Sequence, residues 1–554
     1  MPLKRSVAVV VSSLLLLLAL VVAPHVRAAA PAPPKLAVLI VVDQMRADYV
    51  DRFKAEWTSG LKRLVTDGAW FRRAAYPYLT TVTCAGHATL STGAFPHAHG
   101  IMQNVWWDRD SRAPVTCTAD PDAQGVSYGA TVTRGESAHR LMLPTFADVL
   151  RTERHAHVVT VSLKARSAIM LAGHGGDAAL WLSDSLDGWQ SSSMFDDGQS
   201  AAVKAIIDRN PIDADYGKRW DRLLPADRYH EVDDGKGEDP PKGWTRTFPH
   251  VLTSPSGKPD AAYRTLWERS PFADAYLGRL AAALVEQFQL GRHDTTDVLG
   301  VSFSSPDLVG HAFGPDSQEV HDMYLQLDRT IGTLLSRLDD LVGAGNYVVG
   351  LSADHGVTSI PEQLVLAQKD GGRLNSIAIQ NVIESAAQAA LGAGKYVAIV
   401  NGNDVYFEPG MYKKVAGSPE AMHAVNRAVK MLPGVADVFR AEDVRGAANS
   451  KNPLLRAAAL SYFPGRSGDL ILVPKPGWMF SASGTTHGTA SPDDQRVPVL
   501  FYGAGIKRGI YLDPATPADV APTLAAVVGV KLTGAEGHAL TSALARPRAT
   551  THSP

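Results

Sequence analysis

The chain has 554 residues, of which 45% are hydrophobic and 20% charged, a composition that reads as globular and large enough for an extensive core. No internal repeat or low-complexity tract stands out. Removing residues 1–30 takes away Lys4, Arg5 and Arg27 and no acid, which moves the formal charge from −2 to −5 and argues against a nucleic-acid-binding module.

Residues 1–30 read as a secretory signal. Lys4 and Arg5 precede the apolar stretch Val7 to Val22, and Ala28, Ala29 and Ala30 form a small-residue cleavage site. An uncleaved anchor is the alternative, since the stretch is near the lower length limit for a span. No later run is apolar enough to cross a bilayer, so the expectation is a periplasmic or secreted protein with no stable span after cleavage. Pro31 to Pro34 form a short linker.

The first βα unit is predicted at Leu36–Val42, followed by one helix over Asp48–Asp67. A helix near Pro144–Thr152 precedes a strand at His157–Leu163. Between Asp177 and Pro271 the periodicity weakens while Trp, Asp, Gly and Pro accumulate, as in an inserted cap. The apolar helix Ala273–Leu290 returns to the core. Strands at Asp297–Ser304 and Tyr347–Ala353 flank a helix over Gln318–Leu341. Glu362 to Arg466 read as a second inserted α/β region, with a strand at Tyr396–Val400 and a helix at Pro419–Lys430. Returning strands follow at Asp469–Val473 and Val497–Tyr502, and a helix over Pro517–Val528 closes the chain, with Thr516 as its N-cap. The expected division is therefore a core at 35–176, 272–361 and 467–545, interrupted by insertions at 177–271 and 362–466. Alternating strands and helices of this kind imply an α/β fold, a mostly parallel sheet flanked by helices.

The chemistry lies at the strand ends. Asp43 closes the first strand, Asp307 and His311 follow Asp297–Ser304, and Asp354 and His355 follow Tyr347–Ala353. His487 sits in a turn-like Ser-Gly-Thr-Thr-His-Gly stretch. Taken singly, each is more often a cap or surface group. As a set they recur where open parallel sheets bind ligands, outside the strand C-termini. Carboxylates and imidazoles converging from several segments suit a divalent metal. Asp307 and His311 are four apart, one helical turn. Thr83 heads a predicted helix over Thr83–Ser91, with Thr80 and Thr81 as rival hydroxyls. Lys164 and Arg166, two apart on a segment read as extended, can point the same way. The two cysteines, Cys84 and Cys117, can pair in an oxidising compartment, and the sequence leaves open whether they do.

These pieces, in this order, resemble the alkaline phosphatase superfamily, and within it the phosphate-irrepressible periplasmic alkaline phosphatases with a Thr nucleophile. The matching stretches are Val41 to Arg46, Thr83 to Ala88 with Ser91 to Gly93, His99 to Ile101 with Asn104, and Ser162 to Arg166. They continue with Ser305 to Asp307 and Gly310 to His311, Ala353 to Gly356, and Thr486 to Gly488. The resemblance implies an alkaline-phosphatase-like sheet and two Zn2+ per subunit. One ion would take Asp307, His311 and His487; the other would take Asp43, Asp354 and His355, with Thr83 oxygen as fourth ligand. It further implies phosphate monoester hydrolysis through a phosphothreonine at Thr83, with Asn104, Lys164 and Arg166 on the phosphate oxygens and His87 orienting the loop. A phosphodiesterase or nucleotide pyrophosphatase on the same scaffold is the nearest alternative, since those enzymes keep the Thr and Asn but generally lack the Lys/Arg pair. A sulfatase fits poorly because Cys84 is followed by Ala-Gly-His-Ala, and the secretory signal argues against a cytosolic mutase. A non-catalytic phosphate-ester binding protein would be expected to lack ligands or the nucleophile, and none is missing.

Overall fold

The computed structural model describes residues 33–132 and 134–545; the predicted signal and the first half of the linker lie outside them. Residues 33–544 are organised on a ten-stranded sheet. In chain order its strands are β1 (Leu36–Val42), β2 (Ala69–Ala74), β3 (Gly125–Tyr128), β4 (Val158–Ser162), β5 (Ala178–Leu182), β6 (Trp189–Ser192), β7 (Asp297–Phe303) and β8 (Tyr347–Ser352). A smaller four-stranded sheet holds β9 (Val397–Asn401), β10 (Asp404–Phe407), β11 (Val435–Arg440) and β12 (Leu470–Pro474), after which β13 (Val499–Gly503) and β14 (Gly509–Ala515) return to the main sheet.

The main-sheet order is β14-β2-β13-β8-β1-β7-β4-β5-β6-β3. Its centre, β8-β1-β7-β4-β5, is wholly parallel, with Val41 opposite both Ser302 and Ser352. β1 shows why these residues make a central strand. Leu36, Val38, Ile40 and Val42 pack on one face and Ala37, Leu39 and Val41 on the other, all buried, so both faces need helices. Among the described residues no helix is long and apolar enough to cross a membrane.

The helices that matter for the site are α1 (Asp48–Phe53), α2 (Gly60–Asp67), α3 (Thr83–Thr92), α4 (Ala165–Ala172), α5 (Pro271–Gln287), α6 (Ser305–Phe313) and α7 (Gln318–Leu338). The single helix expected over Asp48–Asp67 is two. The Asp328 carboxylate accepts the amides of Thr58, Ser59 and Lys62, which breaks the helix. Gly60 lies so close to α7 that a Cβ there would come within 2.3 Å of Gly332 N, so the second helix starts where two backbones touch.

Both insertions have different edges from those the sequence suggests. Residues 177–271 open with β5 and β6, which extend the main sheet; the remainder packs on the outer helices, with Trp220 Nε1 and Tyr229 OH both donating to Asp322 on α7. The second insertion runs on past Arg466. β12 pairs with β10 and β11, and its Leu470 and Leu472 join a separate apolar core with Ile383, Val405 and Val425. A short apolar run carries no mark of which sheet it will join, and here backbone bonds decide: Gly468 N donates to Asp404 and Phe407 N to Asp469.

Cys84 and Cys117 form a disulfide, closing a separation of 33 residues. Asn104 braces both ends, its side-chain oxygen accepting Cys84 N at 2.8 Å and its carbonyl accepting Cys117 N at 2.9 Å. Replacing both cysteines by Ser should therefore lower stability by about 2–4 kcal/mol, measured by denaturant unfolding. Mass spectrometry of the unreduced parent should show no free thiol; two free thiols would refute the bond.

Candidate active site

Neighbouring strands deliver the site side by side. Asp43 directly follows β1. On one side, Asp354 and His355 follow β8; on the other, β7 leads into α6, which carries Asp307 and His311; beyond it, β4 ends just before Lys164. Parallel strands are about 4.8 Å apart, so groups at the ends of adjacent strands meet. Ligand atoms of Asp43, Asp354 and His355 lie within 4.8 Å of one another, as do those of Asp307, His355 and His487. His355 thus belongs to both clusters, and its ring stacks on that of His487 with centroids 3.4 Å apart. His311 Nε2 stands 3.1 Å from Asp307 Oδ1.

The clusters sit in depth: Asp43, Asp354 and His355 are fully buried. The outer imidazoles are fixed from behind, His311 Nδ1 donating to Thr485 O and His487 Nδ1 to Thr81 O, both at 2.7 Å, which turns Nε2 of each inward. The carboxylates are pushed in opposite directions. Burial drives Asp354 well above the usual carboxylate range, and the charge of Asp43 drives it further. Burial acts the same way on Asp307, but His311 and Lys164 outweigh it and hold that group well below. Burial pulls His355 down to about 3 and His487 well below the imidazole range, so both are neutral nitrogen donors.

The residues fit a divalent cation. Asp43 Oδ1 and Asp354 Oδ2 are buried without a hydrogen-bond partner among the described residues. Two carboxylates at such a distance repel by about 3.5 kcal/mol even at an effective dielectric near 20. Among the described residues Lys164 supplies a cation to Asp43 but not to Asp354: its Nζ bridges Asp43 Oδ2 at 2.6 Å and Asp307 Oδ2 at 2.5 Å. Burial opposes its charge, but Asp307 and Asp43 more than compensate and raise its pKa. The ammonium stands where the site demands positive charge.

Thr83 opens α3, with Oγ1 3.4 Å from His355 Nε2. Its rivals are engaged elsewhere: Thr81 Oγ1 donates to Thr489 O, and Thr80 Oγ1 accepts from Asn403. His87 is buried and lowered to about 4 by that burial; its ring bonds Thr83 O and Ser302 Oγ, both at 2.8 Å, tying the helix to β7. Lys164 and Arg166 are not on an extended segment. Lys164 is the N-cap of α4 and Arg166 its second residue. They nonetheless line one cavity of about 280 Å³ together with Asn104, Glu136, Glu268 and Leu308. A larger cavity of about 550 Å³ between α5 and α7 holds none of the candidate ligands.

Gln44 was not assigned a role from the sequence. Its amide nitrogen Nε2 donates to Asp307 Oδ1 at 2.6 Å and its backbone N to Asp354 Oδ1 at 3.1 Å, from a left-handed conformation with φ 68°. Its signals in the sequence are its place directly after a strand-end Asp and within the Val41 to Arg46 stretch. Glu136 and Glu268, which also face the cavity, come from segments with no sequence signal at all.

The chain matches the model of a family described as type I phosphodiesterase / nucleotide pyrophosphatase over residues 37–494. It is 32% identical to alkaline phosphatase PafA of Elizabethkingia meningoseptica, covering 93% of this chain and 95% of that protein. It is 31% identical to alkaline phosphatase PhoV of Synechococcus elongatus, covering 93% of each. The crystal structure of wild-type PafA superposes with a TM-score of 0.83 at 30% identity, over 93% of this chain and all of that one.

One contact makes the site sensitive to a single methyl group. A Cβ on Gly86, in α3, would lie 2.1 Å from Asp354 O. Gly86→Ala should separate the Thr83 helix from the Asp354 strand end and lower turnover at least about 100-fold, by analogy with displacement of reacting groups by about 1 Å; near-parental turnover would show that the two need not touch.

Proposed function

The chain belongs to the type I phosphodiesterase / nucleotide pyrophosphatase family, within the alkaline phosphatase superfamily, and we propose that it is an alkaline phosphatase hydrolysing phosphate monoesters through a phosphothreonine at Thr83. The observation that carries this reading is the conjunction of the Thr83 hydroxyl, two clusters of buried carboxylates and imidazoles, and an adjoining cavity with two cationic side chains.

The residues that would hold two zinc ions are Asp307, His311 and His487 for one and Asp43, Asp354 and His355 for the other, with His355 within reach of both clusters. When bound, such a metal pair supplies Lewis-acid stabilisation of the attacking and leaving oxygens and a low-pKa water. The chain's own residues do the rest. Thr83 Oγ1 attacks phosphorus as the P–O bond to the leaving alcohol breaks and the hydroxyl proton leaves with that alcohol; water then cleaves the phosphothreonine ester, which releases inorganic phosphate and returns the hydroxyl. The N-cap of α3 is Val82, which has no side-chain acceptor; Cys84 N is taken by Asn104, which leaves the Thr83 and Ala85 amides of that first turn for an anion. Asn104 keeps its amide group for the phosphate because its oxygen is committed to Cys84 N. Lys164 and Arg166 add positive charge beside the nucleophile, and Arg166 Nε has no partner among the described residues.

That pair is also what favours a monoesterase over a diesterase. A monoester carries about two negative charges and a diester about one, so extra cationic donors reward the former. The named relatives point the same way, being alkaline phosphatases over nearly their full length. The enzyme is expected in the periplasm or outside the cell, given the N-terminal signal pattern.

Hydrolysis of p-nitrophenyl phosphate and bis-p-nitrophenyl phosphate tests the reading. The zinc-loaded protein should prefer the monoester and lose activity to a chelator. Thr83→Ala should lower kcat at least about a thousandfold. Arg166→Ala should lower monoester kcat/KM by about 100-fold while changing the diester rate little. Equal losses on both esters, or a parental preference for the diester, would move the enzyme to the phosphodiesterase branch.

A further inference from the structure

Helix α6 carries Asp307 and His311, yet its start has no cap of its own. The N-cap residue is Ser304, whose side chain accepts nothing from the first turn; its hydroxyl lies 3.0 Å from Ser162 Oγ instead. Pro306, within the first turn, has no N–H. Of the amide donors at the helix start, that of Ser305 is met from a different helix. Asp274, in the first turn of α5, accepts it through Oδ1 at 3.3 Å.

Asp274 is an unusual residue to find there. It is fully buried, and its Oδ2 has no partner among the described residues. Burial raises its pKa to about 7, against the lowering effect of the Ser305 amide and hydroxyl, and the nearby charge of Asp43 adds to the rise. A buried polar atom left unmet costs about 1–3 kcal/mol, which an apolar side chain in a closely packed helix interface would not incur. Around it, Ala273, Leu277 and Ala281 of the same helix are fully buried apolar residues. The carboxyl group touches neither cluster of candidate ligands, but it holds the turn between β7 and α6, two residues before Asp307.

We infer that Asp274 is a positioning residue: as a cap supplied from α5, it fixes the start of α6 and so the direction from which Asp307 and His311 approach a metal ion. This rests on the two-metal reading of the site. The bond needs an acceptor oxygen, not a negative charge, so an amide of the same shape can replace the carboxyl. An apolar side chain of similar volume cannot, and it leaves the Ser305 amide unmet while keeping the interface filled.

The experiment compares Asp274→Asn and Asp274→Leu in the full mature chain. Each is loaded with zinc, dialysed against a graded series of a chelator, and assayed for bound zinc and for kcat and KM with p-nitrophenyl phosphate; circular dichroism checks the fold. The parent and D274N should retain two zinc ions per chain to the same chelator concentration. D274L should lose one of the two at a chelator concentration about tenfold lower, with kcat falling and KM little changed at full zinc loading. D274L holding both ions like the parent would overturn the inference, as would D274N losing zinc as readily as D274L. Should D274L fail to fold, D274N decides: zinc retention and kcat like the parent's uphold an acceptor oxygen as sufficient, and loss of one zinc at a lower chelator concentration than the parent overturns the inference. A parent that binds no zinc would overturn the two-metal reading and this inference with it; that failure is distinct because it does not depend on residue 274.

Discussion

Mutual repulsion of three buried carboxylates governs this structure. Asp43, Asp307 and Asp354 are brought together because β1, β7 and β8 are adjacent parallel strands and each, or the segment it leads into, places its acid at the same edge of the sheet. Water cannot screen Asp43 and Asp354, which are fully buried, so a charge on either must be met from within, and without a further cation Asp354 is driven toward its protonated form. Lys164 reaches two of the three, and Gln44 donates a hydrogen bond to Asp307 and another to Asp354. Asp43 Oδ1 and Asp354 Oδ2 are still unmet among the described residues. An arrangement that breaks even only with added cations is a costly way to build a core, and an economical way to build a metal centre.

Thr83, the proposed nucleophile, is placed by constraints from three sides. Gly86 lets α3 lie directly against the Asp354 backbone, His87 ties the helix to β7, and the Cys84–Cys117 bond anchors its first turn to the end of the antiparallel pair Val105–Asp108 and Ala113–Thr116. Each restraint acts within three or four residues of Thr83. The hydroxyl is therefore held before any substrate arrives, which is the preorganisation that electrostatic catalysis relies on. Asn104 belongs to the same restraint, since both its side-chain oxygen and its carbonyl serve the two cysteines.

Much of this geometry was legible in the sequence, because strand-end acids leave a local signature: a short apolar run followed at once by Asp. Asp43 and Asp354 show it directly, and Asp307 with His311 adds helical spacing. What stayed hidden depends on pairing between distant segments. The run at Ala178–Leu182 has the same composition whether it joins the main sheet or an insertion, and Leu470–Pro474 likewise. Helix breaks were missed where a remote carboxylate, Asp328, takes the backbone amides. The turn that makes Lys164 an N-cap, rather than part of an extended segment, follows from where α4 starts, and no residue at that boundary announces it. Gln44, Glu136, Glu268 and Asp274 are ordinary polar residues by sequence; only three-dimensional proximity distinguishes them.

The central claim is that the buried carboxylates and imidazoles hold two metal ions around Thr83. Anomalous diffraction at the zinc absorption edge, from crystals of the zinc-loaded protein, tests it most directly. The account predicts two anomalous peaks about 4 Å apart, one beside Asp307, His311 and His487 and the other beside Asp43, Asp354 and His355, with Thr83 Oγ1 next to the second. A single peak, or peaks away from these side chains, would contradict it.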